Sequence, residues 1–131
     1  MRDKRSELAS KINVMTGSNY HADARRESTS VVYRLSNTSD APAYWVLVSM
    51  LRWTWKSDET AIVTHTYESL LPASVTDEDQ FLDIDLPHPT DAPAPAPVSV
   101  EFTDGRGRRW RRMPDATLYL QKKNDKWKLW R

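Results

Sequence analysis

From residue 28 to the end of the chain, apolar side chains recur at every second position in short runs, and turn-forming clusters separate the runs. Residues 28–36 alternate, with Val31, Tyr33 and Leu35 on one face and Arg34 on the other. They predict a strand that stops at Asn37-Thr38-Ser39-Asp40-Ala41-Pro42. Residues 43–55 predict a long strand with Trp45, Leu47, Leu51, Trp53 and Trp55 on one face and Tyr44, Val46, Val48 and Met50 on the other. Both faces are apolar, so this is expected to be a central strand covered on both sides.

The polar turn Lys56-Ser57-Asp58-Glu59-Thr60 leads into residues 61–71, where Ile62, Val63 and Tyr67 among threonines give a strongly β composition that Pro72 ends. Residues 80–86 predict a shorter strand with Leu82, Ile84 and Leu86 facing in and Phe81, Asp83 and Asp85 facing out. The proline-rich stretch 87–97 can be neither helix nor central strand, since proline lacks an amide donor, and it reads as an extended crossing between two sheets. Val98, Val100 and Phe102 alternate into Asp104-Gly105-Arg106-Gly107, a turn whose glycines supply positive φ, and the return strand carries Trp110. Leu118 and Leu120, the turn Lys122-Lys123-Asn124-Asp125, and Trp127 and Leu129 predict a last hairpin.

The first 27 residues differ. Leu8, Ile12 and Met15 fall at helical spacing, Asp3 can cap and Gly17 can stop, so residues 3–16 predict a helix, and residues 18–27 an irregular connection. The whole predicts one domain: a helix and connection over 1–27, then an immunoglobulin-like β-sandwich of about six to eight antiparallel strands over 28–131. Val46, Val48, Val100, Phe102 and Trp110 are its expected core, and the helix is a candidate cover for the central strand.

At 131 residues the chain can build one core but not two independent ones. Without cysteine there are no disulfides or thiolate metal ligands, and with no long apolar run a cytoplasmic protein is expected, or a virion component if the chain is phage-encoded. No membrane partner is expected. The net charge of +1 conceals segregation: residues 1–56 carry a net +4, residues 57–104 hold eleven acids and no Lys or Arg, and residues 105–131 carry a net +8. Such asymmetry points to electrostatic pairing, within the fold or between molecules.

Asn37-Thr38-Ser39-Asp40-Ala41-Pro42, Leu71-Pro72 and Phe102-Thr103-Asp104-Gly105-Arg106-Gly107-Arg108-Arg109-Trp110-Arg111 together resemble uncharacterised actinobacterial or actinophage proteins in which a short helix precedes a β-sandwich. Those proteins tend to have Gly before the next strand, where this chain has Asp115-Ala116. The resemblance implies a fold and no activity.

The chemistry-bearing residues form no catalytic set. His21, His65 and His88 lack metal spacing and no nucleophile motif accompanies them, so no catalytic residue, metal, cofactor or small-molecule substrate is expected. Asp77-Glu78-Asp79 with Asp83 and Asp85 lacks the order of a calcium loop and reads as a solvated acidic edge. Gly105-x-Gly107 is a hairpin, not a phosphate loop. Core packing accounts for Trp45, Trp53 and Trp110, whereas Trp55, Trp127 and Trp130 lie near strand ends, where they can form a contact surface. Arg106, Arg108, Arg109, Arg111 and Arg112, followed by Lys122, Lys123, Lys126 and Lys128, are the sharpest binding candidate. The expectation is a non-enzymatic protein-binding or assembly module, with self-association or a foreign protein as partner. The alternative is a nucleic-acid-binding protein using hairpin 106–112 and the C-terminal lysines.

Overall fold

A computed structural model describes residues 9–22, 27–51, 61–84, 98–122 and 126–129. Ten strands follow in order: β1 (Ile12–Ala22), β2 (Glu27–Asn37), β3 (Ala43–Leu51), β4 (Ala61–Leu70), β5 (Ser74–Val75), β6 (Asp79–Ile84), β7 (Val98–Thr103), β8 (Arg109–Arg112), β9 (Leu118–Gln121) and β10 (Trp127–Leu129). They form two antiparallel sheets. In one, β1 pairs with β2, and β2 pairs further with both β5 and β6; the other runs β10-β9-β8-β7-β3-β4. One core joins the sheets: Val31, Tyr33, Leu35 and Phe81 from the first meet Val46, Val48, Met50, Val98, Val100, Phe102 and Trp110 from the second.

The expected core residues Val46, Val48, Val100, Phe102 and Trp110 are all fully buried. The N-terminal expectation is corrected. Residues 12–16, assigned to the helix, are strand, as is Gly17, and residues 18–22, assigned to a connection, complete β1 in unbroken register with β2 from Ile12↔Asn37 to Ala22↔Glu27. Ile12 and Val14 satisfy the period of a strand as well as that of a helix, and the eleven-residue pairing with β2, which leaves Ile12 in the core, decides between them. Residues 3–8 lie outside the described residues, and among those described no helix covers the central strand. The proline-rich crossing 87–97 and residues 52–55, including Trp53, also lie outside them. A second correction concerns β6: Phe81 is buried, not outward. Its ring packs on Tyr33 and stacks on His65 at 4.5 Å, so contact with the opposite sheet selects the parity in a strand whose two faces both carry apolar residues.

Three polar ties hold the sheets together. At the corner between β2 and β3, buried Asn37 donates to the carbonyls of Ala41 (2.9 Å) and Leu70 (3.1 Å) and accepts from the Ser39 amide (3.0 Å), which makes residues 37–42 an Asx-type turn. On the open side, Tyr33 of β2 places its hydroxyl 2.6 Å from His65 Nδ1 and 2.6 Å from the Tyr67 hydroxyl, both on β4, and Tyr67 donates to Asp79 at 3.0 Å. Burial, then the hydrogen bond with Tyr67, pushes the Tyr33 phenol far above its ordinary range, and burial raises Tyr67 too. The Gln80 amide, with help from both hydroxyls and His65, holds the Asp79 carboxyl below its ordinary range. Across the core, Arg112 of β8 donates to the carbonyls of Ile12 (2.9 Å), Ala9 (2.8 Å) and Ala116 (3.2 Å).

The β7–β8 hairpin is organised by one buried carboxylate. Asp104 accepts from Trp110 Nε1 (3.0 Å), Arg108 Nε (2.8 Å) and the amides of Arg106 (2.9 Å) and Arg108 (3.0 Å). Only Gly107 of the two turn glycines needs the left-handed region, at φ 80°. Ala116 sits at φ 70°, a strained position for a residue with a Cβ. Burial alone would raise the Asp104 pKa, but the bonds from Trp110, Arg108 and Arg106 outweigh it and hold the carboxyl below its ordinary value.

Truncating Trp110 to alanine is expected to cost about 3–5 kcal/mol in urea unfolding, because it removes a fully buried indole and one partner of Asp104. A depressed folded-state pKa contributes stability that is present above the unfolded value and lost as pH falls through the folded one. The wild-type protein should therefore lose stability steeply below about pH 4. Asp104→Asn should be less stable at pH 7 and show a shallower slope in that acid window, read by urea midpoints from pH 7 to pH 2.5.

Candidate interaction surface

Alternation along β7 and β8 sorts the hairpin's side chains. Val100, Phe102, Trp110 and Arg112 point into the sandwich, and Glu101, Thr103, Arg109 and Arg111 stand on the outer face of the six-stranded sheet. There Glu101 is clasped from two sides. Arg111 Nε donates to Oε1 at 2.9 Å, and Arg109 Nη2 reaches Oε2 at 3.3 Å. The Arg111 guanidinium also lies 4.4 Å from the ring centre of Trp127 on β10. Pairing places Leu47, Glu101, Arg111, Tyr119 and Leu129 in one row across five strands.

Beside this row stands a residue whose face the alternation gives but whose exposure it does not. Trp45 was expected to pack in the core, yet it is 59 % exposed, and the neighbouring Tyr44 is exposed as well. The cause is a β-bulge. Between Tyr44↔Thr103 and Leu47↔Glu101, β3 spends one residue more than β7, and Trp45 takes a left-handed conformation at φ 49°. Arg109 Nη1 holds the Trp45 carbonyl at 2.7 Å and Thr103 Oγ1 at 2.9 Å. Such a conformation costs a non-glycine residue on the order of 1–3 kcal/mol and persists only where its surroundings impose it. The signal available in the sequence was the polarity of the neighbouring strands. Thr64, Thr66, Thr103, Arg109 and Arg111 lie on Trp45's side of the sheet, a far more polar set than faces the core, although Ser99 on the same side is buried.

The arginine candidates thus divide. Arg109 and Arg111 join Trp127 on the outer face, Arg108 is committed to Asp104, and Arg112 is turned inward onto backbone carbonyls. Burial pulls the Arg112 guanidinium below its ordinary pKa. Arg106 is exposed at the turn tip and makes no ion pair with a described residue. Trp55, Trp130 and Lys123 lie outside the described residues. Of the lysines, Lys122, Lys126 and Lys128 are exposed around the β9–β10 hairpin. Among the described residues no group of three His, Cys, Asp or Glu side chains is placed to hold a metal ion. No protein-family model, curated protein or solved structure matches the chain.

Because Trp45 is solvent-facing in a conformation that glycine adopts freely, Trp45→Gly should change stability by less than about 1 kcal/mol. A loss in urea unfolding as large as that of Trp110→Ala would place the indole inside.

Proposed function

We propose that this chain is a non-enzymatic protein-binding module of immunoglobulin-like type, which engages a partner through the outer face of its six-stranded sheet, with Trp45 as the anchor. The strand pairing supports the immunoglobulin-like part. The chain passes from one sheet to the other between β2 and β3, between β4 and β5, and between β6 and β7, and β7 returns beside β3 instead of beside β6.

The observation that carries the binding role is the displayed indole. Trp45 is more exposed than buried, its backbone is strained, and Arg109 holds its carbonyl in place. Tyr44 and Arg109 are beside it, and Arg111, Tyr119 and Trp127 stand on the same face further across the sheet, all residue types that dominate interface energetics. The short ion pairs of Glu101 orient both guanidinium planes before a partner arrives, which lowers the ordering cost of binding. A nucleic-acid role through hairpin 106–112 has less support, because Arg108, Arg109, Arg111 and Arg112 all have intramolecular partners.

Immobilised wild-type protein and Trp45→Gly should be compared for capture from a lysate of the source organism. A protein retained by the first and lost by the second, at equal stability, is the expected result. Equal capture by both would remove the face from consideration. Salt-sensitive retention of single- or double-stranded nucleic acid at about 50 mM salt by both proteins would favour the hairpin reading instead.

A further inference from the structure

The open side of the sandwich brings four donor atoms from three strands into one place. His65 and Tyr67 stand two apart on β4, so both project from one face toward the opposite sheet, where Tyr33 of β2 and Asp79 of β6 are direct cross-strand partners. The two pairs converge. Tyr33 Oη lies 2.6 Å from His65 Nδ1, 2.6 Å from Tyr67 Oη and 3.1 Å from Asp79 Oδ2. Asp79 Oδ2 lies 3.0 Å from Tyr67 Oη and 3.4 Å from Nδ1. Phe81 stacks on the imidazole at 4.5 Å, and the Gln80 amide holds the other Asp79 oxygen at 2.8 Å, so ring and carboxylate are both oriented by groups outside the cluster.

Hydrogen bonds account for only part of this arrangement. Two phenolic protons, with a third where Nδ1 is protonated, serve three of the five contacts, whereas a cation among the four atoms serves them all. First-row transition ions hold nitrogen and oxygen donors at about 2.0–2.2 Å, and neighbouring donors around such an ion therefore stand about 2.8–3.6 Å apart. Three of the five contacts already fall in that range, and the two at 2.6 Å have only to open slightly.

The donor set also selects the ion. Two phenolates and a carboxylate are hard ligands, and beside a neutral imidazole their three negative charges match a trivalent ion and exceed a divalent one. Burial raises both phenols, so the ion must be acidic enough to displace their protons. Arg34 and Glu78, the chain neighbours of Tyr33 and Asp79, turn to the other face and pair with each other at 3.8 Å, so neither charge enters the cluster. His65 and Asp79 are partly exposed, which gives an ion a way in and leaves its remaining positions to solvent.

We propose that Tyr33, His65, Tyr67 and Asp79 form a binding site for ferric iron, which takes the place of the phenolic protons and pins β2, β4 and β6 together. Binding is ligand exchange without a change of oxidation state: each phenol gives its proton to solvent and an oxygen lone pair to the ion. The sequence expectation of no metal rested on the spacing of histidines and acids, and a set half made of phenols escapes it. The site lies between the sheets and does not depend on the outer face proposed above for a partner.

Titration of the whole chain with ferric citrate at neutral pH tests the site, because tyrosinate ligands give ferric iron an intense visible charge-transfer band. The wild-type protein should develop that band to an endpoint of one ion per chain, show tyrosinate vibrations in resonance Raman spectra excited within it, and melt at a higher temperature with iron than without. Tyr67→Phe should weaken the band, and Tyr33→Phe combined with Tyr67→Phe should abolish it. Asp79→Asn alters a half-exposed side chain and keeps both phenols, so it is expected to fold and to lose affinity by on the order of tenfold or more. Circular dichroism checks the fold of each variant. A wild-type protein without the band, a band that persists in the folded double variant, unchanged affinity in Asp79→Asn, or tighter binding of zinc than of ferric iron would overturn the proposal.

Discussion

A buried indole has one N–H, and leaving it without an acceptor costs about 1–3 kcal/mol. In this protein the acceptor is Asp104, itself almost wholly buried, whose carboxylate needs donors on every side to be tolerated there. The solution is a turn in which two amides and one guanidinium converge on the same carboxylate. Gly107 completes it by supplying the left-handed residue that such a tight reversal needs. Once that turn is set, the register Phe102↔Trp110 follows, and with it the parity of the return strand. Arg109 and Arg111 must then face outward and Arg112 inward. The disposition of the basic hairpin is a consequence of how one tryptophan is satisfied.

The same logic extends to the ties between the sheets. Tyr33 and Arg112 each reach across from one sheet to the other with two hydrogen bonds and Asn37 with one, and Asn37 sits where the chain leaves its sheet. Buried polar groups of this kind contribute less to net stability than to specifying one packing, since a slipped strand would strand their donors. Tyr33 illustrates the point. Its hydroxyl is held by partners from β4 and β6 at once, so the relative placement of the two open edges is set by a single phenol.

What could be read in the sequence was local. The Asn37–Pro42 corner, the Asp104–Gly107 turn, the strands that flank each and the burial of Trp110 are all legible, because turn chemistry and two-residue alternation act over a few positions. The misread segments are those where two local patterns agree with the residues and a distant partner decides. Ile12, Val14 and Met15 suit either period until β2 pairs with them. Phe81 and Leu82 offer two parities until Tyr33 and His65 take the phenyl ring. Trp45 escapes for a different reason. Its place on the outer face agrees with the alternation, but a bulge created against β7, together with polar neighbours from β4, β7 and β8, leaves it uncovered. The charge count left open internal or intermolecular pairing. Among the described acids, Glu101 and Asp104, close to the hairpin, are paired with it, whereas Glu68, Asp77 and Glu78 are exposed.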